Sequence, residues 1–262
     1  MHRLTDRDAV AVGGWTAIKH LVTDVWPGTL AAAAVTVRDA ATRAAPDRVR
    51  ALEQYRVLAA GYEMRTLGGD QGRRELMERL APRPGETILD VGCGTGRNFD
   101  AIQERIGPEG RLIGLDPSPE MLDRARSLVR RRGWTNAVLV EAFAEDASIP
   151  AIADAAILCA VHDVMRSPAA LANVLRHVRD GGRIVAGGPK WVPWGRPDAV
   201  ALNLVAWRLN RDCISTFEGF RRPWTRLAEL VPNLEVEELE EVYFGGGYLA
   251  SATLAPRDAR PA

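Results

Sequence analysis

Cysteine is scarce in this chain, and the little present carries no pattern. The three cysteines, Cys93, Cys159 and Cys213, show no C-x-x-C spacing, and no histidine–cysteine group has metal-ligand spacing. That argues against a disulfide framework and a sequence-coded metal centre, and the expectation is a reduced, cytoplasmic protein. Net charge is lacking too: 34 Lys and Arg balance 34 Asp and Glu, so bulk attraction to nucleic acid is not expected. No apolar run is long enough to span a bilayer; the stretch Thr29 to Val37 is far too short. Residues 1 to 8 hold His2, Arg3, Asp6, Arg7 and Asp8, and read as no clean signal peptide. Neither a phosphate-cradling G-x-x-x-x-G-K-[ST] loop nor a dinucleotide G-x-G-x-x-G turn is found.

What is present is an alternation. From residue 87 onward, apolar strand runs alternate with helical patterns: strand 87–91, helix 97–106, strand 111–115, helix 119–131, strand 137–141, strand 154–159, helix 168–178 and strand 182–187. Such alternation predicts βαβ units and a parallel sheet. Helix 200–209 and two final strands near 234–240 and 247–254 follow. A short helix over 70–80 precedes the first strand, and residues 5 to 66 read as helices without a strand. The division expected is therefore a helical extension or lid, 1–66, before an α/β domain, 67–262. With 262 residues the chain can bury one substantial core. Arginines dominate the basic side, and Arg124, Arg126, Arg130, Arg131 and Arg132 read as a solvated helix face. His177, between Arg176 and Arg179, reads as solvated as well.

The most informative run is Glu86-Thr-Ile-Leu-Asp-Val-Gly-Cys-Gly-Thr-Gly96, a strand feeding into glycines 92, 94 and 96. Asp90 sits two residues before the first glycine, and the next strand ends on Asp116. Glycines let backbone approach a ligand, and an acid at a strand end can accept two ribose hydroxyls. A carboxylate beside the turn repels a pyrophosphate but suits an ammonium or sulfonium.

These residues resemble the class I S-adenosylmethionine-dependent methyltransferases, over roughly residues 50 to 255. Leu89 to Gly96 is similar to the family's first motif and Gly114 to Leu122 to its second. Asp154 to His162 is similar to the fourth-strand motif, and Gly181 to Val185 looks like the turn into the fifth strand. The resemblance implies a Rossmann-like, mostly parallel sheet with an antiparallel C-terminal edge hairpin, and S-adenosylmethionine as cofactor. It further implies cofactor contacts from Tyr62, Asp90, Gly92, Cys93, Gly94, Gly96, Asn98, Asp116, Pro117, Met121, Phe143, Ala144 and Cys159. At the third strand's end the chain departs from the family pattern: Phe143 stands where an acid often meets the adenine amino group, which leaves that hydrogen bond to Glu145 or to backbone. Tyr62 is the expected lid residue.

The acceptor side is less defined. His162, after the fourth strand, is the candidate base, since a histidine pKa lies near working pH. Tyr55, Trp191 and Trp194 are the candidate acceptor-binding residues, with Trp207, Trp224, Phe217 and Phe220 as further aromatics. Thr216 to Trp224 and Val242 to Tyr248 look loosely like bacterial phosphatidylethanolamine N-methyltransferase-like members, which suggests an amine, lipid-like acceptor. Rival readings are an O- or C-methyltransferase of secondary metabolism, an enzyme using the aminocarboxypropyl arm, and a non-catalytic binding scaffold. Peripheral membrane contact and a homodimer through the N-terminal helices stay open.

Overall fold

The computed structural model describes residues 47–58, 70–211 and 213–259. Helix α1 spans Arg48–Leu58 and α2 Asp70–Leu80. Then come β1 (Thr87–Val91), α3 (Phe99–Ile106), β2 (Arg111–Asp116), α4 (Pro119–Arg132), β3 (Ala137–Glu141), β4 (Ala153–Cys159), α5 (His162–Arg166), α6 (Pro168–Arg176) and β5 (Val178–Pro189). Helices α7 (Ala199–Asn210) and α8 (Thr225–Leu230) lead to β6 (Glu235–Leu239) and β7 (Gly247–Thr253). Most of the proposed extension 1–66, Tyr62 included, lies outside the described residues.

The seven strands form one sheet in the order β3-β2-β1-β4-β5-β7-β6. Strands β1 to β5 pair in parallel, and β7 runs antiparallel between β5 and β6. Successive residues point to opposite faces, and both faces are covered by helices. Leu89, Val91, Ile113, Leu115, Ala156 and Ile184 share one core cluster with Leu171 and Val174 of α6 and Leu227 of α8. Their neighbours Ile88, Leu112, Ile157 and Val185 share the other, with Leu76 and Leu80 of α2, Phe99 and Ile102 of α3, and Leu122 of α4. Strand order reverses between β1 and β4, so a crevice opens outside the carboxyl ends of those two strands.

Several details differ from expectation. Strand β5 begins at Val178, four residues early, because it is bulged: its register against β4 shifts between Ala153 and Ala155, and Gly181 takes a positive φ of 68°. His177 is not a solvated helix residue. It ends α6, half-buried, with Nδ1 2.8 Å from the Asn173 carbonyl. Arg130, Arg131 and Arg132 do lie exposed at the end of α4, where basic charge complements the helix dipole. The short helices α5 and α8 have no periodic run long enough to announce them. Among the described residues no helix is long and apolar enough to cross a membrane.

Candidate active site

The turn after β1 is built by packing before any ligand arrives. Gly92 has φ +64°, and a Cβ there would fall 2.3 Å from Cγ1 of Val161, the second residue beyond β4. Gly96 has φ +87°, and its Cβ would meet the Phe99 ring at 2.7 Å. Both positions combine a left-handed backbone with a close neighbour, so only glycine fits. The Cys93 N–H donates to the Leu115 carbonyl at 3.0 Å, tying the turn to β2.

Asp116 organises this end of the sheet. One carboxylate oxygen accepts the Gly94 N–H and the other the Ser118 N–H, each at 2.9 Å. Ser118 in turn caps α4, its hydroxyl accepting from the Met121 N–H. Burial pushes the Asp116 carboxyl up to about 6 against the pull of those two N–H groups. A carboxylate has about four lone-pair sites, so two remain for further donors. Asp90 lies deeper. Asn98 donates its side-chain amide to both Asp90 oxygens at 3.1 and 3.2 Å. Burial raises Asp90 to about 7; the Asn98 bond and the Arg73 charge oppose this, and the Asp116 charge adds to it.

Two cavities open at the crevice. The first encloses about 880 Å³, its open mouth included. Of the expected cofactor residues its wall takes in Gly92, Gly94, Asp116, Pro117, Met121, Phe143, Ala144 and Cys159, together with Tyr55 and His162. Asp90, Cys93, Gly96 and Asn98 stand outside that lining: Asp90 and Asn98 are buried against each other, Gly96 covers Phe99, and the Cys93 side chain belongs to the core. The Arg48 guanidinium of α1 sits 4.7 Å over the Phe143 ring while pairing with Asp146 at 2.7 Å and Glu145 at 3.5 Å. Glu145 also accepts from the Ser167 hydroxyl.

The second cavity encloses about 1380 Å³ and shares Tyr55, Ala160, Val161, His162 and Cys213 with the first. Its wall is made by a turn no motif announced. Ala160 adopts φ +57°, rare for a residue with a Cβ, and its N–H donates to the Gly187 carbonyl at 2.7 Å. Helix α5 then holds the segment opposite. His162 Nε2 lies 2.9 Å from the Glu218 carbonyl, the Asp163 carboxylate accepts from the Ser215 hydroxyl and N–H, and Arg166 pairs with Glu218. From the other side the Tyr55 hydroxyl donates to the Cys213 carbonyl at 2.7 Å. His162 is buried, and that burial drives its pKa down to about 3. A carbonyl only accepts, so Nε2 carries the proton and Nδ1 is a bare acceptor, without a partner among the described residues.

Trp191 and Trp194 line neither cavity. Trp191 is buried, stacking on Phe217 at 5.0 Å and meeting Phe220 edge-on at 4.9 Å. A large apolar ring gains most where it is fully enclosed, and the core took it. Trp194 is 45% exposed. In their place stand Arg73, Leu209, Glu241, Tyr243, Phe244 and Tyr248. The sequence signal for Tyr243, Phe244 and Tyr248 is the run Val242 to Tyr248 noted above, in which Gly245-Gly-Gly247 marks the tight return into β7.

The walls of the first cavity suit S-adenosylmethionine. The cavity offers an acid with spare lone pairs for a ribose, and an aromatic face and a methionine for a purine, with Asp90 buried behind the turn and outside the lining. Comparison with known proteins agrees. Residues 88–182 match the methyltransferase domain family. The chain is 31% identical over 121 residues to the aklanonic acid methyltransferase of Streptomyces sp. (strain C5), which covers 44% of this chain and 54% of that protein. It is 34% identical over 153 residues to an uncharacterized 37.1 kDa protein in transposon TN4556 of Streptomyces fradiae, 56% of this chain and 41% of that one. The chain thus spans about half the length of such curated relatives, or less. The N-methyltransferase NodS of Bradyrhizobium japonicum WM9, solved with S-adenosyl-L-homocysteine, shares the fold at a TM-score of 0.50 and 18% identity, over 71% of this chain and 86% of that one. Residues 88–182 thus form a methyltransferase domain, and the strand order around them is that of the class I S-adenosylmethionine-dependent fold.

Proposed function

We propose that this protein transfers a methyl group from S-adenosylmethionine to a small-molecule amine held in the second cavity. Bound in the first cavity, the cofactor supplies a methyl already activated as part of a sulfonium. What the chain must do is hold two partners in line and exclude water.

The observation that carries the amine reading is His162. Its imidazole lines both cavities, is buried, and is held neutral with Nδ1 bare. With a pKa near 3 it is too weak to take a proton from a phenol or an ammonium, so it is better suited to accept a hydrogen bond than to act as base. A neutral amine needs no base: it attacks through its lone pair while an N–H points at Nδ1. The methylated ammonium carries its proton away with it.

A second reading, an oxygen or carbon acceptor, is favoured by Arg73 in the wall of the second cavity and by the name of the aklanonic acid methyltransferase relative. Incubating the protein with methyl-labelled cofactor and separate pools of amines, phenols and carbon acids decides between them. Labelled amine with release of S-adenosylhomocysteine is expected. Turnover only on phenols or carbon acids, or release of methylthioadenosine, rejects the amine. We also propose that helix α1, Arg48–Leu58, covers the crevice, a reading supported by the bonds from Arg48 to Asp146 and from Tyr55 to Cys213.

A further inference from the structure

We propose that the second cavity holds its acceptor in one orientation: the amine sits at an inner polar grip formed by His162 and Tyr248, and an apolar body runs outward between Leu209 and Phe244. This inference rests on the amine reading above and specifies the kind of amine.

The inner end offers one acceptor and one donor. His162 Nδ1 accepts, as argued. Tyr248, on β7 opposite Gly188 of β5, is 4% exposed and lines the cavity, its ring against Trp224 at 5.3 Å. Its phenol is raised above its ordinary value, chiefly by burial and then by Cys159 and Tyr243, so it stays protonated and can donate. A primary or secondary amine satisfies both groups: its N–H donates to Nδ1, and a heteroatom near it accepts from the phenol.

The outer end is different in kind. Leu209 is 59% exposed and Phe244 56% exposed, and both line this cavity. Phe244 is presented at a conformational cost. It and Tyr243 have φ of 60° and 52°, consecutive left-handed residues that both carry a Cβ. Such backbone persists where its surroundings enforce it and is concentrated at ligand clamps. Here it brings the Phe244 ring to the rim, while the Tyr243 ring lies against Gly72 of α2. Polar groups inside and apolar groups at the mouth fit a molecule with a small polar head and an extended hydrocarbon or aryl body. The Glu241 carboxylate on the same rim further favours a cationic or neutral molecule over an anionic one.

The test is methyl transfer to a homologous series of straight-chain 1-amino-2-alkanols, whose hydroxyl is the heteroatom beside the amine, from three to twelve carbons, with cofactor affinity measured alongside. In the wild type, KM should fall about threefold per added methylene until the chain has passed the rim. Tyr248→Phe keeps the ring and should raise KM for every length by the same factor, about fivefold. Phe244→Ser and Leu209→Ser should leave short amines unchanged and flatten the dependence for long ones. A KM independent of chain length in the wild type, or rim variants that shift all lengths equally, overturns the orientation while the amine reading stands. No methylation of any amine, with cofactor binding intact, overturns both.

Discussion

The two cavities sit side by side and share His162 and Val161, yet they are built in opposite ways. The first is assembled from strand ends that follow one another closely: the turn after β1, Asp116 ending β2, and Phe143 just past β3. Its central acid, Asp116, is fixed by backbone N–H groups close by in the sequence, those of Gly94 and Ser118, although Arg48, Tyr55 and Cys213 also reach its wall. The second gathers residues from α1, α2, the end of β4, α7 and the loop before β7, so its neighbours are up to 193 positions apart, from Tyr55 to Tyr248. The lesson is that binding a constant molecule can be coded in a local motif, while binding a variable one is left to loops that the fold brings together.

Gly92 joins the two halves, and breaking it should have the largest effect. Gly92→Ala places a Cβ 2.3 Å from Val161 at φ +64°. Strain and overpacking together should cost about 3 kcal/mol or more in denaturant unfolding. Val161→Ala in the same chain should return the steric part and leave the backbone part. If Gly92→Ala is as stable as wild type, the two cavities are not coupled through this contact.

Asp116→Ala comes next. Losing charge-assisted hydrogen bonds to a ribose, and the anchor of Gly94, should weaken cofactor binding about 100-fold or more by calorimetry. Asp116→Asn, which keeps one acceptor, should fall between. Unchanged affinity in both would remove Asp116 from the cofactor site.

Asp90 sharpens the comparison through pH. Its pKa in the folded chain, about 7, exceeds its ordinary 3.8. The folded state therefore binds this proton more tightly, and the resulting stability is present below pH 3.8 and lost as pH rises through about 7. His162, lowered from 6.5 to about 3, acts the other way: its contribution is present above 6.5 and is lost as pH falls toward 3. Asp90→Asn should raise the stability of the ligand-free protein at pH 8 by about 2 kcal/mol while weakening the cofactor. For the same reason the wild type's cofactor affinity should decline as pH drops from 8 to 5, since a cationic ligand favours the ionised acid. An affinity flat over that range would place no cation near Asp90.

The smallest effect is expected at Tyr55→Phe. Its hydroxyl bond to the Cys213 carbonyl ties α1 to the second cavity. Removing it should cost about 1 kcal/mol, read as roughly fivefold in acceptor KM with cofactor affinity near wild type. A larger loss on the cofactor side would mean that this bond acts through the first cavity, which Tyr55 also lines.

Much of the first half was legible in the residues. Alternation of apolar runs gave β1 to β5 and the edge strands within a few positions; the central strands β1, β2 and β4 were plainest, because a strand buried on both faces must be apolar almost throughout. The run from Asp90 to Gly96 and Asp116 marked the crevice, since a glycine at positive φ and an acid at a strand end leave a trace in the letters themselves. The second half left almost none. Trp191 read as a pocket residue and packs in an aromatic core, because a tryptophan's identity does not say which side of it is filled. His162 read as a base, and its pKa was decided by burial and by the carbonyl of Glu218, 56 residues away. Tyr248 lay in the run Val242 to Tyr248 that suggested an amine acceptor, but nothing in the letters turned its ring toward the cavity. The sequence by itself determined a doubly covered parallel sheet, its glycine turn and the chemistry of the cofactor end, all of which follow from short-range periodicity and backbone geometry. Only the tertiary structure decided which polar atoms face the acceptor and in what protonation state, because burial and electrostatics are sums over neighbours that the chain brings together only by folding.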